Sequence, residues 1–264
     1  MSRRVVIFAP LALALALLAV ALLLPDAAAQ NALIRQGVRV AKLLAAIAAL
    51  AAALAFEPGD YLRRAWMLIA LNMFLLARQV VLGASHQAIQ QGIVLVANLA
   101  FVYATWMMAR AFRVAGIDLP WSRARRTALL AAGVLLALVV AGALLAPDVK
   151  VALRGGPVEV IAIISGTADI ISLSLIAPVL FTVLAMRGGI LAWPWGLYTA
   201  SLVCWLLYDG GEALLRIDAL SAMAPGLRVF KESVRLLACA FVCSAGLAQR
   251  SAVVRIRDAV PGEP

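Results

Sequence analysis

The chain has 264 residues, 65% of them hydrophobic and 14% charged, with a formal net charge of +10 and a mean hydropathy of +1.02. A water-soluble domain is nearer half apolar and about a quarter charged, so this composition excludes a soluble globule and makes the bilayer the solvent. The positive charge does not read as nucleic-acid binding, because no basic run outside the apolar segments is interleaved with aromatics; arginines at helix ends and in loops, facing anionic headgroups, account for it.

A helix needs about 20 apolar residues to cross the hydrocarbon core. Eight stretches qualify: 5–24, 36–56, 62–83, 89–111, 127–146, 158–186, 192–215 and 227–249. The expected fold is therefore all-α, a polytopic transmembrane helical bundle of eight spans. The breaks carry turn chemistry, in "EPGD", "GASHQ", "GIDLPWSR", "APDVKVALRGGP", "RGG" and "SAMAPG". The densest arginine cluster, Arg110, Arg113, Arg123, Arg125 and Arg126, lies at the fourth connection. The positive-inside bias makes that connection cytoplasmic, and alternation then puts both termini on the same side of a cell inner membrane.

The first stretch has the parts of a secretory signal: Arg3 and Arg4, an apolar middle, and "AAA" before Gln30 as a cleavage site. A comparison with the fifth span argues for retention. At a constant offset of 122 residues, Arg3 and Arg4 match Arg125 and Arg126, and Pro25–Asp26 match Pro147–Asp148, with Leu13/Leu135 and Leu22/Leu144 between them. Further on the offset drifts, and Gly59, Leu62 and Trp66 align with Gly188, Leu191 and Trp195. The chain thus reads as four helices duplicated, a 4+4 internal repeat with halves 1–116 and 117–249 and a short cytoplasmic tail, 250–264. An even number of spans per repeat makes the copies parallel, with any shared site expected between them.

Ionisable groups inside spans are costly and mark function by default. In the second span Arg35, Arg39 and Lys42 recur at i, i+4 and i+7 near the outer end; snorkelling to headgroups is the plainer account. Asn72 with Gln79, and Gln91 with Asn98 and Thr105, recur every seven residues in the third and fourth spans, a spacing suited to interhelical hydrogen bonds. The sixth span carries Ser165, Asp169 and Ser172 on one face. Asp169 lies about 16 Å from the outer end at 1.5 Å per residue, near the bilayer centre, and nothing in its own helix neutralises it.

The seventh span carries Asp209, Glu212 and Arg216 on one face, and the eighth Arg228, Lys231, Glu232 and Arg235. These two spans form an antiparallel hairpin turning near residue 221, which sets Glu212 beside Lys231 and Asp209 beside Arg235. One reading is an internal ion-pair ladder that holds the hairpin together. The other is a polar cavity, open to the extracytoplasmic side, lined by the second, sixth, seventh and eighth spans.

Cys204, Cys239 and Cys243 fall within apolar runs and read as inert buried thiols. No metal site or cofactor is expected. The single histidine, His86, lies in a loop and excludes bis-histidine haem, and no lysine sits mid-span in the last helix for a retinal Schiff base. The hydrolase, zincin, Walker and dinucleotide-binding signatures are missing, so no enzyme class is indicated.

The stretch "DIISLSLIAPVLFTVLAMRGGILAWPWGLYTASLVCWLLYDGGEALL" resembles multi-helix membrane sensory input modules found before bacterial histidine kinases and diguanylate cyclases. The matching features are Asp169, Pro178, the basic turn "MRGG", "PW" opening the next helix, and Asp209 near its end. The resemblance implies an inner-membrane sensory or ligand-binding module. No kinase or cyclase domain follows, so the implied output passes to a separate partner, in the cytoplasm or the membrane. The expected partners are the lipid bilayer, a small extracytoplasmic ligand and that signalling partner. A transporter, suggested by the duplication, and a non-catalytic assembly or scaffold protein are the alternatives.

Overall fold

The structure, a computed structural model, describes residues 3–77, 87–114, 122–153, 163–164, 166–168, 170–172, 174–175, 192–215 and 218–259. Every regular element among them is helical. This follows from the solvent: lipid offers no partner to backbone amides, and a helix satisfies them within its own segment.

Helix α1 (Arg3–Leu22) leads through a tight turn into α2 (Ala27–Ala55). Asp26 stops one helix and starts the next. Its backbone is extended, and its carboxylate accepts the Ala29 amide at 2.7 Å, satisfying an orphan donor of the first turn. The Gln30 side chain closes the same turn by donating to the Leu24 carbonyl at 2.9 Å. The "EPGD" turn then reverses the chain into α3 (Tyr61–Leu76). There Gly59 has φ 107°, a backbone state that side-chain-bearing residues rarely adopt, and the Asp60 carboxylate accepts the Glu57 amide at 3.0 Å. Helices α4 (Gln87–Val114), α5 (Arg123–Leu153) and α6 (Ala192–Leu215) follow, then a 3-10 turn (Asp218–Met223) that runs directly into α7 (Ala224–Ala259). Pro225 sits in the first turn of α7, where its missing amide hydrogen has no helical partner to lose.

Four of the described helices are long and apolar enough to cross a membrane, over Arg4–Leu22, Ala27–Ala55, Gly92–Ala111 and Leu220–Ala259. Large apolar side chains such as Leu13, Ile47, Leu54, Leu99 and Leu135 project from the bundle surface, as lipid-facing positions require.

Helix α7, at 36 residues, is the axis of the bundle, with α2 and α6 packed along it and α1 seated against α7 and α2. Helix α2 also carries α3, which in turn carries α4, whereas α5 touches α6 only lightly. Helices α2 and α7 run parallel, since Arg35 lies opposite Glu232, Leu44 opposite Cys243 and Ala48 opposite Gly246. Helix α6 runs antiparallel to α7, with Glu212 opposite Lys231 and Tyr208 opposite Arg235.

The α2–α7 seam consists of small side chains: Ala45, Ala48, Ala49 and Ala52 against Ala238, Ala245, Gly246 and Ala252, all buried. Apolar lipid leaves little hydrophobic drive between helices, so close backbone approach and the dispersion contacts it permits must hold them. Gly246 is the tightest point, where a Cβ would lie 2.7 Å from the Ala48 carbonyl. On the other side, Ala14 and Ala21 of α1 pack with Ile34 and Val38 of α2 and with Val229, Leu236 and Ala240 of α7.

Several boundaries differ from those the apolar runs alone suggest. Helix α2 starts at Ala27, because Asp26 caps it there. Helix α3 closes at Leu76, with Ala77 as its cap. Helix α5 continues through Pro147 and Asp148, which the sequence marks as a break. The two Pro-Asp pairs that anchor the expected duplication therefore differ locally: Pro25–Asp26 form a turn, and Pro147–Asp148 lie within a helix. The expected sixth span is helical at residues 163–164, 166–168, 170–172 and 174–175, where Gly166 lies against Leu145 of α5.

Candidate functional site

Buried polar groups in the bundle fall into two sets. Toward the end that carries the α2–α3 turn, hydrogen bonds tie neighbouring helices together. Asn72 of α3 donates to the Ala97 carbonyl of α4 at 2.8 Å. Thr105 of α4 donates to its own Phe101 carbonyl at 2.9 Å and shares a second hydrogen bond, also 2.9 Å, with the Tyr198 hydroxyl of α6. These are the interhelical bonds that the seven-residue spacing predicts for Asn72 and Thr105. Gln79 lies outside the described residues, as does the side chain of Gln91.

The second set is ionic and lies toward the opposite end, where α2, α6 and α7 meet. Its centre is Glu232 of α7, only 2% exposed, with Arg35 of α2 on one side and Arg235, one turn along α7, on the other. Arg35 Nε stands 3.4 Å from Glu232 Oε1, and Arg235 Nη1 stands 3.3 Å from Oε2. The Arg235 guanidinium also lies over the Tyr208 ring of α6, 4.9 Å from its centroid. Lys231 faces the same ring at 5.3 Å and forms an ion pair with Glu212 of α6. Gly211 lies against this pair, where a Cβ would come into contact with the Lys231 side chain at 3.4 Å.

Lys42 of α2, two turns from Arg35 on the same face, is 4% exposed, and its ammonium donates to the Leu76 carbonyl at 2.9 Å. Leu76 ends α3, so a lysine from the neighbouring helix satisfies a carbonyl that would otherwise lack a helical donor, at the negative end of the helix dipole. Cys239 of α7 lies within electrostatic reach of Lys42, Arg235 and Glu232, which places Lys42 beside the same cluster.

Of the residues singled out from sequence, Glu212, Lys231, Glu232, Arg235 and Lys42 therefore converge here. Arg39 does not: it is exposed and bonds to Gln36 of its own helix at 3.2 Å, the solvated role that snorkelling predicts. Asp209 lies on α6 beside Tyr208. The Arg235 guanidinium, expected beside Asp209, faces Tyr208 and Glu232. Ser172 is buried, with its hydroxyl unpaired among the described residues. Asp169, Ser165 and Arg216 lie outside the described residues.

Tyr208 has no place in the sequence-derived set, and Arg35 enters it only as a cation near the outer end of the second span. Tyr208 was legible: the antiparallel register that sets Glu212 against Lys231 also sets position 208 against 235. The partnership of Arg35 with Glu232 was not, because it depends on two helices far apart in the chain lying side by side. The cysteines are free thiols, Cys239 and Cys243 buried, and Cys243 donates to the Leu44 carbonyl at 3.6 Å. No cluster of three metal-ligating side chains occurs among the described residues.

The fold and this ionic cluster define a helical bundle with apolar, membrane-length helices and a charged interior at one end. No protein-family model, curated protein or solved structure matches the chain.

Proposed function

We propose that the chain is an integral membrane module that binds a small ligand at the α2–α6–α7 ionic cluster and passes the event to a separate signalling partner. In this reading it crosses the inner membrane eight times as two parallel four-helix halves. Both termini are cytoplasmic, and the cluster opens to the extracytoplasmic side. The observation that carries the proposal is Glu232, a buried carboxylate of α7 shared by a cation from α2 and one from α7 itself, two helices long and apolar enough to cross a membrane. Burying such groups in lipid costs several kcal/mol, roughly, and two hydrophobic residues would join the helices at least as well. Access supports the same reading, because Arg35 and Glu212 are 58% and 43% exposed at the same level as the buried Glu232, so the cluster runs from the surface of the bundle into its interior. The axial helix α7 joins the cluster to the arginine-bearing far end, a route by which a local change is felt at the other face.

The test is a thermal-shift screen of the purified full chain in phosphatidylcholine nanodiscs against small carboxylates, phosphates, quaternary amines and sugars. A ligand raises the melting temperature by mass action, about 2.7 kcal/mol of stabilisation at one hundred times Kd. The ligand concentration needed for the shift should change in Glu232→Gln. No response to any class, with function retained when Asp209 and Arg235 are both replaced by Leu, would leave only a scaffold. Transport is the second reading, favoured by the carbonyl end of α3 meeting Lys42 partway along α2, a helix terminus of the kind that lines substrate paths. Uptake into proteoliposomes that depends on Lys42 would select it.

A further inference from the structure

We infer that the ionic cluster is an oxyanion site, in which a small carboxylate or phosphate ligand competes with the Glu232 carboxylate for the Arg235 guanidinium. The inference rests on reading the cluster as a ligand site and names the chemistry that fits it.

Charge is the first ground. Arg35, Lys42, Lys231 and Arg235 converge from α2 and α7, against Glu232, Glu212 and the neighbouring Asp209. Cations outnumber acids four to three, so an added anion is favoured and an added cation is opposed.

Geometry is the second. Arg–carboxylate contacts normally close to about 2.7–2.9 Å. Both guanidiniums around Glu232 stand off at 3.3–3.5 Å, so the carboxylate is shared without being gripped. Arg235 reaches it through Nη1 alone, and its Nε is buried with no partner among the described residues. Nε belongs to the side edge of the guanidinium, the edge that receives a planar or tetrahedral oxyanion through two parallel N–H donors. The Tyr208 ring lies against the guanidinium face and holds its plane, so that this edge is presented in one orientation. A buried guanidinium N–H without an acceptor is an unfavourable arrangement that an incoming oxygen relieves. Lys42 adds a compact charge two turns deeper, and the exposed Arg35 marks the side of approach.

A free metabolite anion and a lipid headgroup offer the same oxygens, so the experiment separates them. The full chain is placed in phosphatidylcholine nanodiscs at low salt and titrated calorimetrically with sodium phosphate, sodium succinate, choline chloride and glucose. A second arm repeats the phosphate and succinate titrations in nanodiscs containing phosphatidylglycerol. Phosphate or succinate is expected to bind, and added potassium chloride is expected to weaken the binding. Arg235→Lys keeps the charge but removes the paired donors, and should weaken binding by about tenfold or more. Glu232→Gln removes the resident competitor and should tighten it, an effect no purely structural role would produce.

Phosphatidylglycerol that raises the melting temperature and blocks the soluble anions identifies the headgroup as the source and sustains the assignment. Binding of choline or glucose, with none by either anion in either lipid, overturns the oxyanion assignment while the ligand-site reading survives. Silence from all probes in both lipids removes both. Equal anion affinity in Arg235→Lys and the parent also overturns the assignment.

Discussion

Glu232 and Glu212 are both acids that face lysine or arginine, yet their environments give them different weights. Glu232 is nearly inaccessible and Arg235 beside it is largely buried, whereas Glu212 is 43% exposed and its pair with Lys231 is screened. Removing one member of a buried ion cluster leaves uncompensated charge, so Glu232→Ala should destabilise the bundle by about 3–5 kcal/mol. Glu212→Ala should cost less than about 1 kcal/mol, as exposed pairs do. Thermal denaturation of the two variants side by side checks this, and equal losses would show that Glu232 is reached by water.

The decisive contact at the level of elements is the α2–α7 seam. Gly37 and Gly246 both lie where a Cβ would meet a neighbour, but the neighbours differ in kind. At Gly37 the obstacle is the end of the Leu17 side chain, 2.1 Å away, which can turn aside. At Gly246 it is the backbone of Ala48 and Ala49, which cannot move without the whole of α2. Gly37→Ala is therefore expected to be near neutral, its better helix propensity offsetting a rotamer change. Gly246→Ala should cost about 1–3 kcal/mol, as overpacking does, and should loosen the register that sets Arg35 beside Glu232. Melting temperatures of the two variants give the comparison, and a larger loss for Gly37→Ala would move the critical seam to α1.

The whole molecule is polar in its charge pattern. One end gathers Arg4, Arg63, Arg64, Arg110, Arg250, Arg255 and Arg257, while the other holds the mixed cluster of acids and bases. Helix α7, about 54 Å long at 1.5 Å per residue, exceeds the hydrocarbon thickness of about 30 Å. Its last turn, with Arg255 and Arg257 exposed, accordingly extends past the bundle at the arginine end. The proposed orientation puts that end in the cytoplasm. A cysteine at Leu23, in the exposed turn after α1, should react with a membrane-impermeant maleimide in intact cells. One at Asp258 should react only after permeabilisation, and the reverse pattern would invert the assignment.

Much of this architecture was legible from sequence because depth in a bilayer is a one-dimensional coordinate. Run length and turn residues locate helix ends, as for α6 at Ala192–Leu215, and consecutive helices must alternate, so the numbering alone sets Glu212 at the level of Lys231. The end of α5 shows where that logic weakens, since a helix continues through Pro147 despite the missing amide hydrogen. Which helices are lateral neighbours is another matter. In a chain whose helix faces are largely alanine and leucine, hydrophobic periodicity does not rank one partner above another. The choice falls to steric fit, as in the approach of Gly246 to Ala48. Sequence by itself determined the all-helical, apolar character of the chain and the common level of Glu212 and Lys231. Tertiary structure alone brought α2 against α7 and so turned Arg35, Lys42, Glu232 and Arg235 into one cluster, because backbone proximity between distant helices is decided by shape rather than by polarity.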